Sequence, residues 1–266
     1  MEYQDLLLEK KGHVAIVTLN QPAKLNALTL GMRAAIGQIS QDLAKDDDVR
    51  VVVLTGAGKG FCPGADVSVQ QQRLAGILPP ETRFEKEQNI GYPYAFSFPK
   101  LNKPVIAAIN GACAGAGFSL ALSCDIRIAA DNVKFVAAQV ARGLVPDAAM
   151  TFYLPHTIGV SAAFNMIFTA EVITAAQALE LGIVSKVVTL DNLMPTVMEL
   201  AEKIAAQPPI AVEFAKRAVW CHFLDSIDRA LDVETMAQRV CFASEDHKNS
   251  VDAFMNKKPT PIYQGK

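Results

Sequence analysis

The chain has little that would hold a partner by bulk charge. Lys and Arg total 25 and Asp and Glu 27 among 266 residues, a formal net charge of -2. No basic run exceeds two residues, as at Lys257-Lys258, which argues against a nucleic-acid surface. Cysteine is sparse: Cys62, Cys113, Cys124, Cys221 and Cys241 are odd in number and widely spaced. They form no CxxC or Cys/His ligand pattern, which argues against a disulfide scaffold or a zinc site and predicts reduced thiols. No uncharged apolar run is long enough to span a bilayer. The start, Met1-Glu2-Tyr3-Gln4-Asp5, lacks the basic-then-apolar pattern of a leader, and Gln264-Gly265-Lys266 is no peroxisomal address. The expected compartment is cytoplasmic. Neither GxGxxG nor GxxxxGK[ST] occurs, so a phosphate loop of either standard kind is also missing.

Apolar residues, in contrast, are plentiful at 51%, enough for one large domain with an appendage or for two modest domains. Leu6-Leu7-Leu8 and Val14 to Leu19, split by a polar turn, predict an opening hairpin. Thr29 to Ala44 has near-helical apolar spacing, with Thr29 as its cap. Val51 to Leu54 and Val105 to Ile109 are short, β-branched and apolar throughout, as strands covered on both faces are. Ile126 to Ala129, and Ile183-Val184 with Val187-Val188, add further strands between helical segments, predicting an α/β chain with a parallel sheet. Gln70 to Pro104, with Pro79-Pro80, Gly91, Pro93 and Pro99, reads as a mobile, helix-containing excursion. Past about Asp191 only helical periodicity remains, which divides the chain into a core, 1–190, and a helical region, 191–266.

Two glycine-rich turns follow buried strands: Thr55 to Asp66, and Asn110-Gly111-Ala112-Cys113-Ala114-Gly115-Ala116-Gly117. Turns at the carboxyl ends of parallel strands are where open α/β sheets bind ligands, and a helix start offers unpaired amides to negative charge. Either turn alone reads better as tight packing, with glycine supplying positive φ.

Four segments in order, Pro22-Ala23-Lys24-Leu25-Asn26-Ala27-Leu28, Phe61-Cys62-Pro63-Gly64-Ala65-Asp66-Val67, Lys103 to Gly111, and Ser123 to Ala129, resemble the crotonase (enoyl-CoA hydratase/isomerase) superfamily. The likeness runs on through Ala176 to Val184 and reaches Phe254 and Lys257. It implies a crotonase-like spiral of ββα units whose helical C-terminal region builds a homotrimer or a dimer of trimers. It implies an acyl-CoA thioester substrate, CoA being part of the substrate, with no separate cofactor and no metal. The backbone amides of Ala65 and Ala116 would form an oxyanion hole, a role open to alanine because only the N–H is used. The adenine and phosphates would lie near Lys24, Leu25, Asp66 and Val67, with Phe254 and Lys257 contributed by a neighbouring subunit.

Hydratases of this superfamily use two glutamates to handle water and its protons. The corresponding positions here are Ser119 and Gln139, neither of which is a carboxylate base. One acid remains at a position used by related isomerases, Asp147, and Leu144, Val145, Ala148, Ala149 and Met150 around it in sequence predict an apolar setting that would raise its carboxyl. Taken alone, it reads as the cap of a helix beginning near Ala148. Within the resemblance it reads as a proton carrier, since one base suffices for a 1,3-proton shift. The leading expectation is therefore a 3-enoyl-CoA to 2-enoyl-CoA isomerase. The alternatives are an enzyme of an aromatic or cyclic acyl-CoA, like epoxyphenylacetyl-CoA isomerase, a hydratase-like or dehalogenase-like enzyme, and a non-catalytic acyl-CoA-binding scaffold. The dehalogenase expects a histidine where Tyr92 stands. Of His13, His156, His222 and His247, only His156 lies near the Asp147 loop.

Overall fold

The computed structural model describes residues 3–66, 68 and 93–266. Strands β1 (Leu6–Lys11) and β2 (Val14–Leu19) form the antiparallel hairpin, with Leu8 opposite Val17. Helix α1 (Leu30–Ala44) starts where the Thr29 side chain accepts from Met32 N at 3.0 Å, as its sequence predicts. Strand β3 (Val51–Gly56) is buried along its whole length and pairs in parallel with β2 and with the segment Val105–Ile109. A short strand, β4 (Gly60–Cys62), follows it. Helix α2 (Pro93–Lys100) lies in the proline-rich excursion, of which 93–104 are described; 69–92 lie outside the described residues.

The same long-short rhythm repeats. Strand β5 (Val105–Ile109) leads to β6 (Ala112–Ala114) and helix α3 (Gly115–Leu122), then β7 (Ile126–Ala130) leads to β8 (Lys134–Val136). Helices α4 (Met150–Ile158) and α5 (Val160–Thr169) precede β9 (Ile173–Thr174), α6 (Ala175–Glu180) and β10 (Lys186–Val188). The long strands make one sheet in the order β1-β2-β3-β5-β7-β10, and the short ones a second, β4-β6-β8-β9. Each circuit thus places one strand in each sheet before a helix returns, which is a spiral of ββα units.

Two sequence expectations need adjustment. Strands β4, β6 and β8 have three residues each, too short for periodicity to register. Ile183 and Val184 are buried but not strand, because both of their amides bond Ala178 O and so close the end of α6.

Helix α3 is buried on every side, which its uniformly apolar and small sequence permits. Helix α7 (Leu190–Ala205) buries Leu193, Val197, Ala201 and Ala205, a four-residue spacing, and packs on β3, β5 and β7. Helices α8 (Pro209–Trp220), α9 (Leu224–Ala243) and α10 (Glu245–Met255) complete the tail. Asp125 fastens the tail to the core. Its Oδ2 accepts from Val105 N at 2.7 Å and meets buried Lys216 Nζ at 2.8 Å, while Oδ1 accepts from Trp220 Nε1 at 2.7 Å. Lys216 also donates to the Phe98 and Lys103 carbonyls, so its desolvated charge is fully bonded.

Candidate functional site

The two glycine-rich turns meet. Asn110 ties them, accepting from Gly56 N and donating to the Gly56 and Gly58 carbonyls at 2.9 and 3.0 Å. Asn26, fully buried at φ 68°, braces the first turn from the other side by donating to the Ala57 and Gly60 carbonyls. Neither asparagine figured in the sequence reading as a brace. The signal was present in each case: a polar residue beside glycine turns where neighbouring backbone carbonyls need donors.

Glycine is required where the turns touch. Gly64 has φ 111°, and a methyl group on it would lie 3.2 Å from Ala114 O and 3.5 Å from Ala116 N. The residue after Gly64 and the residue after Gly115 therefore sit side by side. Leu28 N donates to Gly64 O and Asp66 N to Leu28 O, so the amide of Ala65 between them points away from Leu28. Ala116 occupies the second position of α3, whose N-cap, Ala114, offers no side-chain acceptor. Among the described residues neither Ala65 N–H nor Ala116 N–H has an acceptor. Helix-start amides of this kind are donors to negative charge.

Gln139 links these amides to the acid. Its side chain lies against Gly115, Nε2 donates to Asp147 Oδ1 at 3.1 Å, and its buried Oε1 has no partner among the described residues. Gln238 Nε2 reaches Asp147 Oδ2 at 3.4 Å, and the Ser119 hydroxyl donates to the Asp147 carbonyl at 2.9 Å. This corrects two readings of the sequence. Asp147 is not a helix cap, because α4 begins at Met150 and its carboxylate accepts from side-chain amides. Nor are its immediate partners apolar: Ala148 and Ala149, at φ 58° and 62°, turn themselves and Met150 into the core and leave the carboxylate among the glutamines. Two consecutive left-handed alanines cost about 1–2 kcal/mol each.

The capping role falls to Glu234 on α9. It accepts from Ala149 N at 2.8 Å, Thr151 N at 3.0 Å and Thr151 Oγ1. Burial raises its carboxyl to about 7 even though Thr151 and Ala149 bond it, and the nearby Asp147 charge adds to the rise. Sequence reasoning missed Glu234 and Gln238. The buried stripe of α9 runs Ile227, Leu231, Glu234, Gln238, so two polar residues stand at core positions of a helix, which is the signal that finds them.

Of the residues expected around CoA, Lys24 Nζ pairs with Asp66 Oδ2 at 2.7 Å, and Leu25 is exposed beside them. Partial burial pushes the Asp66 carboxyl up, but bonds from Lys24 and Ser68 outweigh it and hold it below the usual range. Val67 and Tyr92 lie outside the described residues. Phe254 sits under the Arg142 guanidinium of its own chain, 3.9 Å from the ring centre. No hydrogen bond, ion pair or ring contact among the described residues joins Phe254 or Lys257 to Lys24, Leu25 or Asp66. His156 bonds the Phe152 carbonyl through Nδ1 and packs on the Phe152 and Phe223 rings, away from any bond to Asp147.

A ββα spiral in two sheets, carrying a helical tail and a pair of uncapped amides at its strand ends, is a crotonase fold. Residues 9–265 match the family model described as Enoyl-CoA hydratase/isomerase, and the chain belongs to that family of enzymes. It is 38% identical over 265 residues to a short-chain-enoyl-CoA hydratase of Clostridium acetobutylicum, with 97% of each chain covered. It is 36% identical over 258 residues to a 1,2-epoxyphenylacetyl-CoA isomerase of Escherichia coli, again with 97% of each covered. Among solved structures, an enoyl-CoA hydratase from Mycobacterium avium subsp. paratuberculosis superposes with a TM-score of 0.87 at 28% identity, covering 99% of this chain and 100% of that one.

Proposed function

We propose that the chain isomerises the double bond of an acyl-CoA, converting a 3-enoyl thioester to the 2-enoyl form with Asp147 as the proton carrier. The observation that carries this reading is the Gln139–Asp147 bond. At the two positions where a hydratase needs carboxylates stand Ser119 and Gln139, and both serve Asp147 as hydrogen-bond donors instead.

In the reaction, the Asp147 carboxylate takes a proton from C2. The electron pair of that C–H bond moves to the thioester oxygen, and the dienolate is held by the amides of Ala65 and Ala116. Stabilisation of this kind acts on charge that develops only in the transition state. When the carbonyl re-forms, the double bond shifts to C2–C3 and C4 takes the proton back from the Asp147 carboxylic acid. No second base is needed, which suits a site with neutral residues at 119 and 139.

Lys24, Leu25, Asp66 and Val67 are assigned to the adenine and phosphates, with Phe254 and Lys257 as outer contributors. A homotrimer or a dimer of trimers is supported by large apolar residues that the tail exposes, including Ile210, Phe214, Met236 and Val240. Five free thiols support a cytoplasmic location.

The test is exchange of C2–H in deuterated water with a panel of acyl-CoA thioesters, and conversion of 3-enoyl-CoA. Asp147→Asn is expected to abolish both while remaining folded. Exchange at the wild-type rate in this variant overturns the reading, and no exchange by the wild type favours a binding scaffold. The likeness to 1,2-epoxyphenylacetyl-CoA isomerase supports a second reading, with a ring-bearing acyl group. Comparing turnover of linear 3-enoyl-CoA with 1,2-epoxyphenylacetyl-CoA separates the two.

A further inference from the structure

The loop that carries Asp147 is held from the far end of the sequence. Val145 N donates to Gln238 Oε1 at 3.1 Å, and Gln238 Nε2 returns bonds to Val145 O at 3.3 Å and to Asp147 Oδ2 at 3.4 Å. One helical turn earlier, Glu234 takes up the amides of Ala149 and Thr151 on the other side of the acid. The two side chains, four apart on one face of α9, thus bracket Asp147 by its flanking backbone, and one of them also touches the carboxylate. Both are almost fully buried, at 1% and 3% exposure, in a stripe whose other members are Ile227 and Leu231.

A purely structural account needs only a cap for α4. Glu234 supplies that alone, and a cap places no demand on residue 238. A glutamine four residues on, satisfied at both ends by Val145 and spending its second N–H on Asp147, holds a direction as well as a loop. The two amides on the carboxylate come from opposite sides of the chain: Gln139 bonds Oδ1 and Gln238 bonds Oδ2. Together they fix rotation of the carboxyl group, which side-chain packing alone leaves free. Proton transfer between C2 and C4 by one carboxyl requires it to reach two carbons without turning away, so fixing that rotation bears on the rate.

We propose that Glu234 and Gln238 of the C-terminal helix α9 are positioning residues that set the orientation of the Asp147 carboxylate for proton transfer. The proposal rests on the reading of Asp147 as proton carrier. It assigns the tail a part in catalysis separate from any part in assembly.

Gln238→Met, of similar size and without polar atoms, removes all three bonds. It is to be measured beside the wild type and Asp147→Asn for kcat and KM with 3-enoyl-CoA, and for C2 exchange in deuterated water. The expected result is a fall of about 10- to 100-fold in both kcat and exchange, with KM within about threefold of wild type. Wild-type kcat and exchange in a folded Gln238→Met, beside an inactive Asp147→Asn, overturn the positioning role and leave the Asp147 reading intact. Full activity in Asp147→Asn overturns both. Should Gln238→Met fail to fold, Gln238→Glu carries the same test, with kcat read on the alkaline plateau of its pH profile where both carboxyls are ionised: it keeps the acceptor for Val145 N–H but loses the donor to Asp147. The same fall in kcat at unchanged KM is expected of it, and wild-type kcat overturns the proposal.

Discussion

The side-chain amide of Gln139 donates to Oδ1 of Asp147 at 3.1 Å. A carboxyl group in place of that amide would face Asp147 at about the same separation, where two negative charges do not coexist. The pair would then share one proton, and on the proposed reading that proton competes with the one Asp147 takes from the substrate. In Gln139→Glu the acidic limb of kcat/KM for isomerisation is expected to move up by about one to two pH units. A pH–rate profile of the two proteins checks this, and coincident acidic limbs would count against Asp147 as the base.

The contact between α3 and β4 leaves no room for a side chain. A methyl group at Gly117 would run into the Cys62 carbonyl and come within 2.6 Å of its sulfur. Cys62 is three residues before Ala65, so the displacement is passed to one of the two amides. Gly117→Ala is expected to destabilise by about 1–3 kcal/mol, lowering Tm by roughly 3–10 °C, and to reduce kcat. Gly37, in the interior of α1, is the control: a methyl group there meets nothing within 4 Å, and Gly37→Ala is expected to hold or raise Tm. Thermal unfolding of the two variants, with turnover measured below the transition, is the comparison.

Glu234 links stability to pH. Burial raises its carboxyl from 4.5 to about 7, so the folded protein keeps a proton that the unfolded chain has lost. The stability this confers is complete below pH 4.5, declines as pH rises towards 7, and is gone above it, a change of about 3 kcal/mol. Glu234→Gln is neutral throughout and is expected to remove this part of the slope. Urea midpoints at pH 5 and pH 8 measure it. An equal drop between the two pH values in wild type and variant would show that Glu234 is ionised in the fold at both.

Much of the architecture was legible because it repeats. The apolar runs at Val51 to Leu54 and Val105 to Ile109, the Thr29 cap and the helical tail each obey one strong local rule, and each stands where the sequence puts it. The second sheet was not legible, since its strands of two or three residues are too short to show a period. In the site, the adjacency of the Ala65 and Ala116 turns follows from the family likeness, and Gly64 and Asn110 are its physical reason. The surroundings of Asp147 could not be read from its neighbours in sequence. Two left-handed alanines reverse their direction, and the partners that matter come from residues 139, 234 and 238. Local apolarity is a poor guide to a side chain whose loop turns back on itself.

The bonds from α9 to the Asp147 loop span 83 to 93 residues of chain. During synthesis, a ribosome that has delivered everything through Phe223 has released both sheets, both glycine turns and Asp147 itself. At that moment the amides of Ala149 and Thr151 have no glutamate to receive them, and the unfavourable left-handed turn at Ala148 and Ala149 lacks the bonds that α9 supplies. The spiral is the earlier product of translation; the acid's setting is one of its last, finished only when α9 arrives and docks.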